Sequence, residues 1–352
     1  AKVGTASMIP LADSSCTFCG QCVNVCPVGA IVGVSYVKDV WKAINDPTKT
    51  VIVQTAPAVR VAIGQEYGFK PGEPVTGKLV AGLRRLGFDK VFDTDFSADL
   101  TIMEEGHELV ERVKAGKNLP ILTSCCPGWI NFLEHHYPDL LDIPSSCKSP
   151  QQMFGAIAKT YYAEKIGVKP EDLVVVSIMP CQAKKYEAAR PEFAPNGVWD
   201  VDYVVTTREL GAMLHEAGVN LANLEDEAYD SPLGESTGAG VIFGVTGGVL
   251  EAALRSVHTM LTGENLAGDA INFRAVRGLD GVKEAKVEVA PGMTVNVAIA
   301  SGLGNARKVL DMVRADRNRF QAIEIMACPG GCINGGGQPI VRPCFLPHED
   351  RD

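Results

Sequence analysis

Several features that would place a chain in a common protein class are scarce in this sequence. No apolar run reaches the roughly 18 residues that a membrane-spanning helix needs, and residues 1–15 contain no apolar core typical of a secretion signal. Acidic residues outnumber basic ones by 42 to 33, so the formal net charge is −9. This charge disfavours nucleic acids and anionic membranes as partners, because both bind preferentially to a basic surface. A cytoplasmic protein is expected.

Internal repeats and low-complexity linkers are also missing, whereas cysteine is plentiful. The chain has 11 cysteines in 352 residues, and an odd number without a secretion signal disfavours a disulfide framework. Most cysteines stand in tight groups beside glycine and proline, which predicts metal ligands or catalytic thiols. The groups are Cys16, Cys19, Cys22 and Cys26; Cys125 and Cys126; Cys181; and Cys328 and Cys332, with Cys147 and Cys344 apart.

The chain divides into two parts that differ in cysteine content and in sequence periodicity. Residues 1–45 are rich in cysteine and poor in periodic segments, whereas strand-like and helix-like segments alternate from residue 50. Such alternation predicts an α/β fold with mostly parallel sheets flanked by helices. We therefore expect domains at 1–45 and 46–352. Predicted strands are 51–56, 90–96, 120–124, 173–179, 203–206, 295–300 and 320–326. Predicted helices are 76–86, 98–115, 151–165, 207–217, 247–261 and 304–314.

Three of these predicted strands run directly into cysteine. The strand at 120–124 precedes Cys125 and Cys126, the strand at 173–179 precedes Pro180 and Cys181, and the strand at 320–326 precedes Cys328. Ligands of open α/β sheets bind at the carboxyl ends of the strands. The pattern therefore predicts that three distant segments converge on one buried site.

The first cysteine group has the spacing of a bacterial ferredoxin. Cys16, Cys19, Cys22 and Cys26 follow the pattern C-x2-C-x2-C-x3-C-P, which binds a [4Fe–4S] cluster. A structural zinc site is the alternative, but it prefers two separated CxxC pairs. Cys26 either closes this cluster or binds a second one, as in two-cluster ferredoxins. The second reading is favoured, so we expect the ferredoxin-like segment to be incomplete.

The middle cysteines are more ambiguous by themselves. The side chains of adjacent Cys125 and Cys126 diverge, so one ligand and one thiol are expected, with a buried structural pair as the alternative. Lys184 follows Cys181 by three residues and shares its helical face. In isolation, a solvated lysine is the plainer interpretation of that pattern.

The last cysteine pair frames a glycine-rich loop. Five glycines fall within 328–337, so the backbone can pass close to a bulky inorganic group. A flexible turn fits poorly with cysteine at both ends. Cys126, Cys181, Cys328 and Cys332 together make four thiolates, the number that a [4Fe–4S] cluster takes. Cys125 is then left as a thiol beside the site.

These segments resemble the signatures of [FeFe]-hydrogenases. The signature segments are TSCCPGW, MPCQAKKYE and EIMACPGGCINGGGQP, and the stretches DTDFSADLTIMEE and SSCKSPQQMFGA are also similar, so the resemblance spans residues 14–340. It implies a two-lobed H-cluster domain preceded by a partial ferredoxin-like segment. The H-cluster is a [4Fe–4S] cubane that a cysteine sulfur bridges to a diiron unit with CO, CN⁻ and a dithiolate amine.

The resemblance implies a role for each site residue. The four thiolates hold the cubane, with Cys332 as the bridge, Cys125 exchanges protons with the amine, and Lys184 hydrogen-bonds a cyanide. Glu105, Ser145 and Glu108 would continue the proton route, although two carboxylates one helical turn apart are otherwise a solvated face. The diiron pocket would be lined by Ala56, Pro57, Pro180 and Gln182, with Met179, Met326 and Phe243 as its apolar wall.

Three positions depart from the family pattern. Ala58 stands where many relatives have serine, Cys147 has no assigned role, and the chain continues for only 13 residues after Pro339. Because single-chain relatives usually continue further, we expect a truncated end or completion by a separate segment. Cys344 lies in this tail.

The implied reaction is the reversible interconversion of H2 with protons and electrons. Electrons would enter from a ferredoxin or another subunit through the first cluster, and maturation proteins would insert the diiron unit. The alternatives are an iron–sulfur assembly scaffold and an H2 sensor, which are expected to lack Lys184 or the relay residues. A plain ferredoxin-like carrier would explain only residues 1–45.

Overall fold

A computed structural model describes residues 5–267, 270–275 and 281–340. They form two compact units, each built from three stretches of chain. Unit 1 takes the residues up to Cys19 together with 99–149 and 245–332, and unit 2 takes 20–98, 150–244 and the residues from 333 onward. The cysteine-rich segment contributes to both units. The expected domain boundary near residue 45 therefore stays a prediction.

Strands and helices alternate along the described chain, as the sequence predicts. The strands are β1 (Thr50–Thr55), β2 (Lys90–Asp93), β3 (Ile121–Leu122), β4 (Leu173–Met179), β5 (Tyr203–Thr206), β6 (Arg274–Ala275), β7 (Val282–Ala290), β8 (Met293–Ser301) and β9 (Ala322–Met326). The helices are α1 (Gln21–Val25), α2 (Val37–Ile44), α3 (Pro57–Arg60), α4 (Thr76–Leu86), α5 (Thr94–Ala115), α6 (Pro127–His136), α7 (Pro150–Ile157), α8 (Ala163–Ile166), α9 (Ala183–Ala188), α10 (Thr207–Glu216), α11 (Gly248–Thr262) and α12 (Leu303–Ala315).

The sheet of unit 2 is parallel throughout. Its order is β2-β1-β4-β5, and Val53 of β1 is in register with Val91 on one side and Val176 on the other. Every residue of β4 is buried, as expected for a central parallel strand covered on both faces. Aliphatic side chains from this sheet and from α4 and α10 form the core of the unit.

The sheet of unit 1 combines parallel and antiparallel strands. Its order is β3-β9-β8-β7-β6, with β3, β9 and β8 parallel and β7 antiparallel to both neighbours. One hydrophobic cluster contains Trp129 and Leu133 of α6, and a second contains Leu250 and Leu254 of α11. Both clusters also include residues of the sheet, so helices cover its apolar surface.

The α/β fold with mostly parallel sheets is confirmed, and the differences lie in local elements. Helix α5 begins at Thr94, inside the segment predicted as strand 90–96, because the Asp93 carboxylate accepts the Asp95 amide at 3.1 Å and so caps the helix start. Strand β7 was missed because it alternates charged and apolar residues instead of forming an apolar run. Helices α2, α6 and α9 were also missed. Among the described residues, no helix has the length and apolarity to cross a bilayer.

Candidate active site

In unit 1, two of the predicted cubane ligands follow neighbouring strands. Strands β3 and β9 are parallel, with Leu122 in register with Ile323. Cys126 and Cys328 therefore both lie beyond the carboxyl edge of this sheet. Cys126 is also the N-cap of α6, where its carbonyl oxygen accepts the amides of Trp129 and Ile130. The positive end of the helix dipole favours a thiolate at that position.

The loop from Cys328 to Cys332 is fixed by hydrogen bonds on both sides. The Gly330 amide donates to Ser301 Oγ at 3.0 Å, and its carbonyl accepts from the Thr246 amide at 3.1 Å. Gly330 and Gly331 have φ of 81° and 105°, a region that disfavours any side chain. The glycines of this motif therefore set a defined loop, as opposed to a flexible turn.

Unit 2 places the other predicted ligand at a comparable edge. Strands β1 and β4 pair with Thr55 in register with Ile178, and the Ala56 amide donates to the Ile178 carbonyl at 3.1 Å. Ala56 and Pro57 therefore follow β1 beside the strand that leads into Pro180 and Cys181. The apolar side chains of Met179 and Phe243 are buried in this unit. In unit 1, Met326 is buried at the end of β9.

Lys184 is nearly buried on α9, where a carboxylate neutralises it. Its Nζ lies 3.0 Å from Oε2 of Glu187, whose side chain is equally inaccessible. Glu187 also accepts a hydrogen bond from Gln151 Nε2 at 2.9 Å. Sequence reasoning missed this counter-ion, although the i, i+3 spacing was visible. The cost of burying the lysine is thus partly offset by the protein itself.

Gln182 packs against the ferredoxin-like segment within unit 2. A Cβ placed on Gly33 would lie 2.3 Å from Gln182 Oε1, and one placed on Gly20 would lie 2.6 Å from Gln182 Cγ. Neither position has room for a side chain. The predicted role of Gln182 in lining the diiron pocket stays a prediction.

The predicted proton-relay residues form a connected cluster in unit 1. Ser145 Oγ donates to Glu108 Oε2 at 3.1 Å, and a hydrogen-bonding interaction of the Ser145 side chain acts to lower the pKa of Glu105. Ser124 Oγ also reaches Glu105 Oε1 at 3.4 Å. Glu105 is only 5% exposed, so a solvated face is the wrong description of this residue. The Ser145 hydroxyl therefore lies between the buried carboxyl of Glu105 and the partly buried carboxyl of Glu108.

Burial sets the protonation of Glu105. Desolvation raises its pKa to about 7; hydrogen bonds from Ser145 and Ser124 oppose this rise, and the Glu108 charge adds to it. Glu108 is paired with Arg112 Nη2 at 2.6 Å. Sequence reasoning did not single out Arg112, although its i+4 position after Glu108 is a pairing signal. The cluster thus ends on a charged pair and starts at a group that can exchange a proton near neutral pH.

Cys147 lies beside the same carboxylate. Its Sγ is 4.0 Å from Glu108 Oε2, and its amide donates to Ser145 Oγ at 3.2 Å. Burial, supported by nearby carboxylates, raises the pKa of this thiol to about 11. The thiol therefore stays protonated, in keeping with the absence of an assigned role.

The donor chemistry fits iron–sulfur clusters. The ten described cysteines are present as thiols, and sulfur-only ligand sets are typical of such clusters. Within the ranges that the structure describes, no group of three or more His, Cys, Asp or Glu side chains is arranged around a single metal ion. A cubane instead takes one thiolate at each iron. Cys344 and the rest of 341–352 lie outside the described residues.

Comparison with known proteins identifies the family. Residues 49–336 match the family described as "Iron only hydrogenase large subunit, C-terminal domain", and residues 11–32 match a "4Fe-4S binding domain". The chain is 59% identical, over 96% of its length, to the NADP-reducing hydrogenase subunit HndD of Solidesulfovibrio fructosivorans. It spans 58% of that relative, a little over half of its length.

Two further likenesses place the chain within this group. A solved [FeFe]-hydrogenase structure, HydA(deltaEFG), is 46% identical with a TM-score of 0.77, and the match covers 87% of this chain and 85% of that one. The cytosolic iron-sulfur assembly component 3 of Bos taurus is 33% identical over 84% of this chain and 63% of its own length. The assembly protein is thus the more distant of these relatives. The chain belongs to the iron-only hydrogenase large-subunit family.

Proposed function

We propose that this protein interconverts H2 with protons and electrons at an H-cluster held by Cys126, Cys181, Cys328 and Cys332. The observation that carries the proposal is the Glu105–Ser145–Glu108 cluster, which a hydrogen bond from Ser124, the residue before Cys125, joins to the cysteine pair. When bound, the cofactor would supply the redox chemistry and the position at which H2 forms or is split. The protein would supply ligands, protons and a dry surrounding.

The relay works by alternating donors and acceptors. Cys125 would exchange a proton with the cofactor and pass it to Glu105. When Glu105 is protonated, its carboxyl would donate to Ser145 Oγ, while the Ser145 hydroxyl donates to Glu108 at 3.1 Å. Transfer along these hydrogen bonds would move one proton and would require only rotations of the side chains. The relay ends at the ion pair between Glu108 and Arg112 Nη2, which are 2.6 Å apart.

The remaining site residues would shape the cofactor pocket. Lys184 would donate to a cyanide, and its pair with Glu187 keeps the ammonium in place. The backbone and side chains of Ala56, Pro57, Pro180 and Gln182 would line the diiron unit. Met179, Met326 and Phe243 would exclude water from it, which strengthens fixed hydrogen-bond donors at low dielectric.

Electrons would pass through a [4Fe–4S] cluster on Cys16, Cys19, Cys22 and Cys26. Their source would be a ferredoxin or another electron-transfer subunit, and maturation proteins would deliver the diiron unit. Cys26 either closes this cluster or binds a neighbouring one. A cytoplasmic location also stays a prediction.

An iron–sulfur assembly scaffold is the second candidate function, since an assembly protein is among the relatives. A scaffold needs cluster ligands but has no use for a protonatable carboxyl connected to a hydroxyl. Cys125, Lys184 and the buried relay therefore favour hydrogen chemistry. The same relay residues disfavour an H2 sensor.

Infrared spectroscopy on anaerobically matured protein tests the proposal. Stretching bands from iron-bound CO and CN⁻, together with H2 production from a reduced dye, are the expected result. If iron analysis shows filled cubanes but no such bands appear after maturation, the hydrogenase proposal is wrong and the scaffold function takes its place.

A further inference from the structure

The ferredoxin-like segment is bound to the glycine loop by one basic side chain. Arg208, the second residue of α10, donates from Nη1 to Asn24 Oδ1 at 2.7 Å and from Nη2 to the Gly336 carbonyl at 2.6 Å. Asn24 lies on α1, midway between Cys22 and Cys26. Gly336 follows Cys332 by four residues. One guanidinium therefore joins two stretches that each adjoin expected cluster ligands.

Neighbouring contacts reinforce the same joint. Asn24 Nδ2 donates to the Gly335 carbonyl at 3.3 Å, and Gln21 Nε2 donates to the Asn334 carbonyl at 2.7 Å. The Arg208 amide donates to the Gly337 carbonyl at 3.0 Å. Two side chains of α1 and the Arg208 amide of α10 thus bind carbonyls of one short loop. This arrangement holds the segment in a single position within unit 2.

The charge of Arg208 is only partly neutralised. Neither of its two side-chain hydrogen bonds ends on a carboxylate. Glu66 and Glu209 are the acidic groups whose charges act on it, and the Glu209 carboxylate is itself paired with Lys185 at 2.7 Å. A guanidinium remains protonated even when half-buried. A net positive charge therefore lies beside the helix that carries Cys22 at one end.

We propose that Arg208 is a positioning residue that raises the reduction potential of the [4Fe–4S] cluster on the Cys16–Cys26 run and fixes that cluster's segment against the glycine loop. A cluster gains negative charge when it is reduced, so a nearby fixed cation stabilises the reduced form more than the oxidised form. Net charge and hydrogen bonding are among the factors that set the potentials of such clusters. The inference rests on the proposed entry of electrons through this cluster.

Two substitutions of Arg208 distinguish the effect of its charge from the effect of its hydrogen-bond geometry. Arg208→Gln removes the charge and shortens the donor, whereas Arg208→Lys keeps the charge and loses the planar fork. Arg317→Gln is the matched control, because it removes the same charge from a surface pair with Asp142. Anaerobic potentiometric titration, followed by EPR of the reduced cluster, gives the midpoint potential without reference to H2 turnover.

We expect a more negative midpoint potential in Arg208→Gln than in the parent protein. The potential of Arg208→Lys should lie nearer that of the parent, and the potential of Arg317→Gln should be unchanged. Iron content and the thermal unfolding midpoint identify a variant that has lost its cluster, and if this happens to Arg208→Gln, Arg208→Met takes its place as the variant that removes the charge. Equal potentials in Arg208→Gln and Arg317→Gln overturn the inference, and so does an equal shift in both Arg208 variants. If the parent protein holds no cluster on these cysteines, the proposed electron route is also wrong. If the cluster is present but its midpoint potential does not change in Arg208→Gln, only the role of Arg208 is wrong.

Discussion

Unit 1 buries two carboxyls, those of Glu105 and Glu324. Both are almost inaccessible to solvent, but their hydrogen-bond partners differ. Burial raises the pKa of both to about 7. Glu105 accepts a hydrogen bond from the Ser124 hydroxyl and interacts with the Ser145 hydroxyl. Glu324 instead accepts hydrogen bonds from the amides of Gly247 and Leu250 at 2.6 and 2.8 Å. A hydroxyl can both accept and donate a proton, but an amide only donates its hydrogen bond.

The comparison shows that burial and pKa do not by themselves define a proton-transfer group. Glu324 lies on β9 and binds the first turn of α11, so it ties the strand leading to Cys328 to the segment that holds Gly330. Among the described residues its hydrogen-bond partners are backbone amides, which cannot relay a proton. We therefore expect substitution of Glu105 to lower the rate of turnover and substitution of Glu324 to lower the stability of the fold.

The largest effect is expected from Glu105→Gln. An amide cannot release a proton to Ser145, so H2 production should fall by about 10²–10⁴-fold, the usual contribution of a positioned acid–base group. The matched control is Glu104→Gln, which changes the exposed neighbour on the same helix. Equal activities of the two matured variants in a dye-linked assay would contradict the relay. Infrared bands of the cofactor should be unchanged in both.

The pH dependence of folding should reflect both carboxyls. Because their pKa values are about 7 in the folded protein against an ordinary 4.5, the folded state holds protons that the unfolded chain has already released. Stability is therefore fully present below pH 4.5 and is lost as the pH rises through 7, by up to about 3 kcal/mol for each group. The double variant Glu105→Gln/Glu324→Gln should lose much of this slope in chemical denaturation at pH 5.5 and 7.5. An unchanged slope would show that neither carboxyl is protonated in the folded protein.

Glu324→Gln should destabilise the protein while sparing the chemistry. A glutamine offers one acceptor oxygen where two amides must be satisfied, so a loss of about 1–3 kcal/mol in unfolding free energy is expected. Glu264→Gln, at an exposed position after α11, serves as the control. H2 turnover per intact cofactor should stay within about twofold, far below the effect of a lost acid–base group. A hundredfold loss of turnover at full cofactor content would instead place Glu324 in the proton route.

The smallest effect is expected from Cys147→Ala. The thiol is 4.0 Å from Glu108 and stays protonated, so its loss should cost about 1 kcal/mol of stability or less as a small buried group. Turnover should be nearly unaffected, whereas Cys125→Ala should abolish it. A large loss of activity in Cys147→Ala would show that the thiol takes part in the relay.

Much of the fold follows from local pattern. Helix α4 matches its predicted range, and α10, α11 and α12 begin and end within one residue of theirs, because hydrophobic periodicity directly reports the buried face of a helix. Strand β7 was missed because the exposed side chains of Lys283, Lys286 and Glu288 interrupt its apolar residues, and its pairing with β8 reveals it. The start of α5 was displaced because a side-chain cap at Asp93 outweighs the apolar run before it.

The kind of chemistry could be predicted from the sequence. Iron–sulfur ligation depends on cysteine thiolates at particular spacings, and both the residue types and their spacing are properties of the covalent chain, so the motifs predicted the family. The electrostatics of the site, in contrast, depends on the folded chain. Whether Glu105 is solvated or buried, whether Lys184 has an internal counter-ion and whether Arg208 reaches α1 all depend on segments far apart in the chain, since burial and charge pairing arise only when the chain is folded.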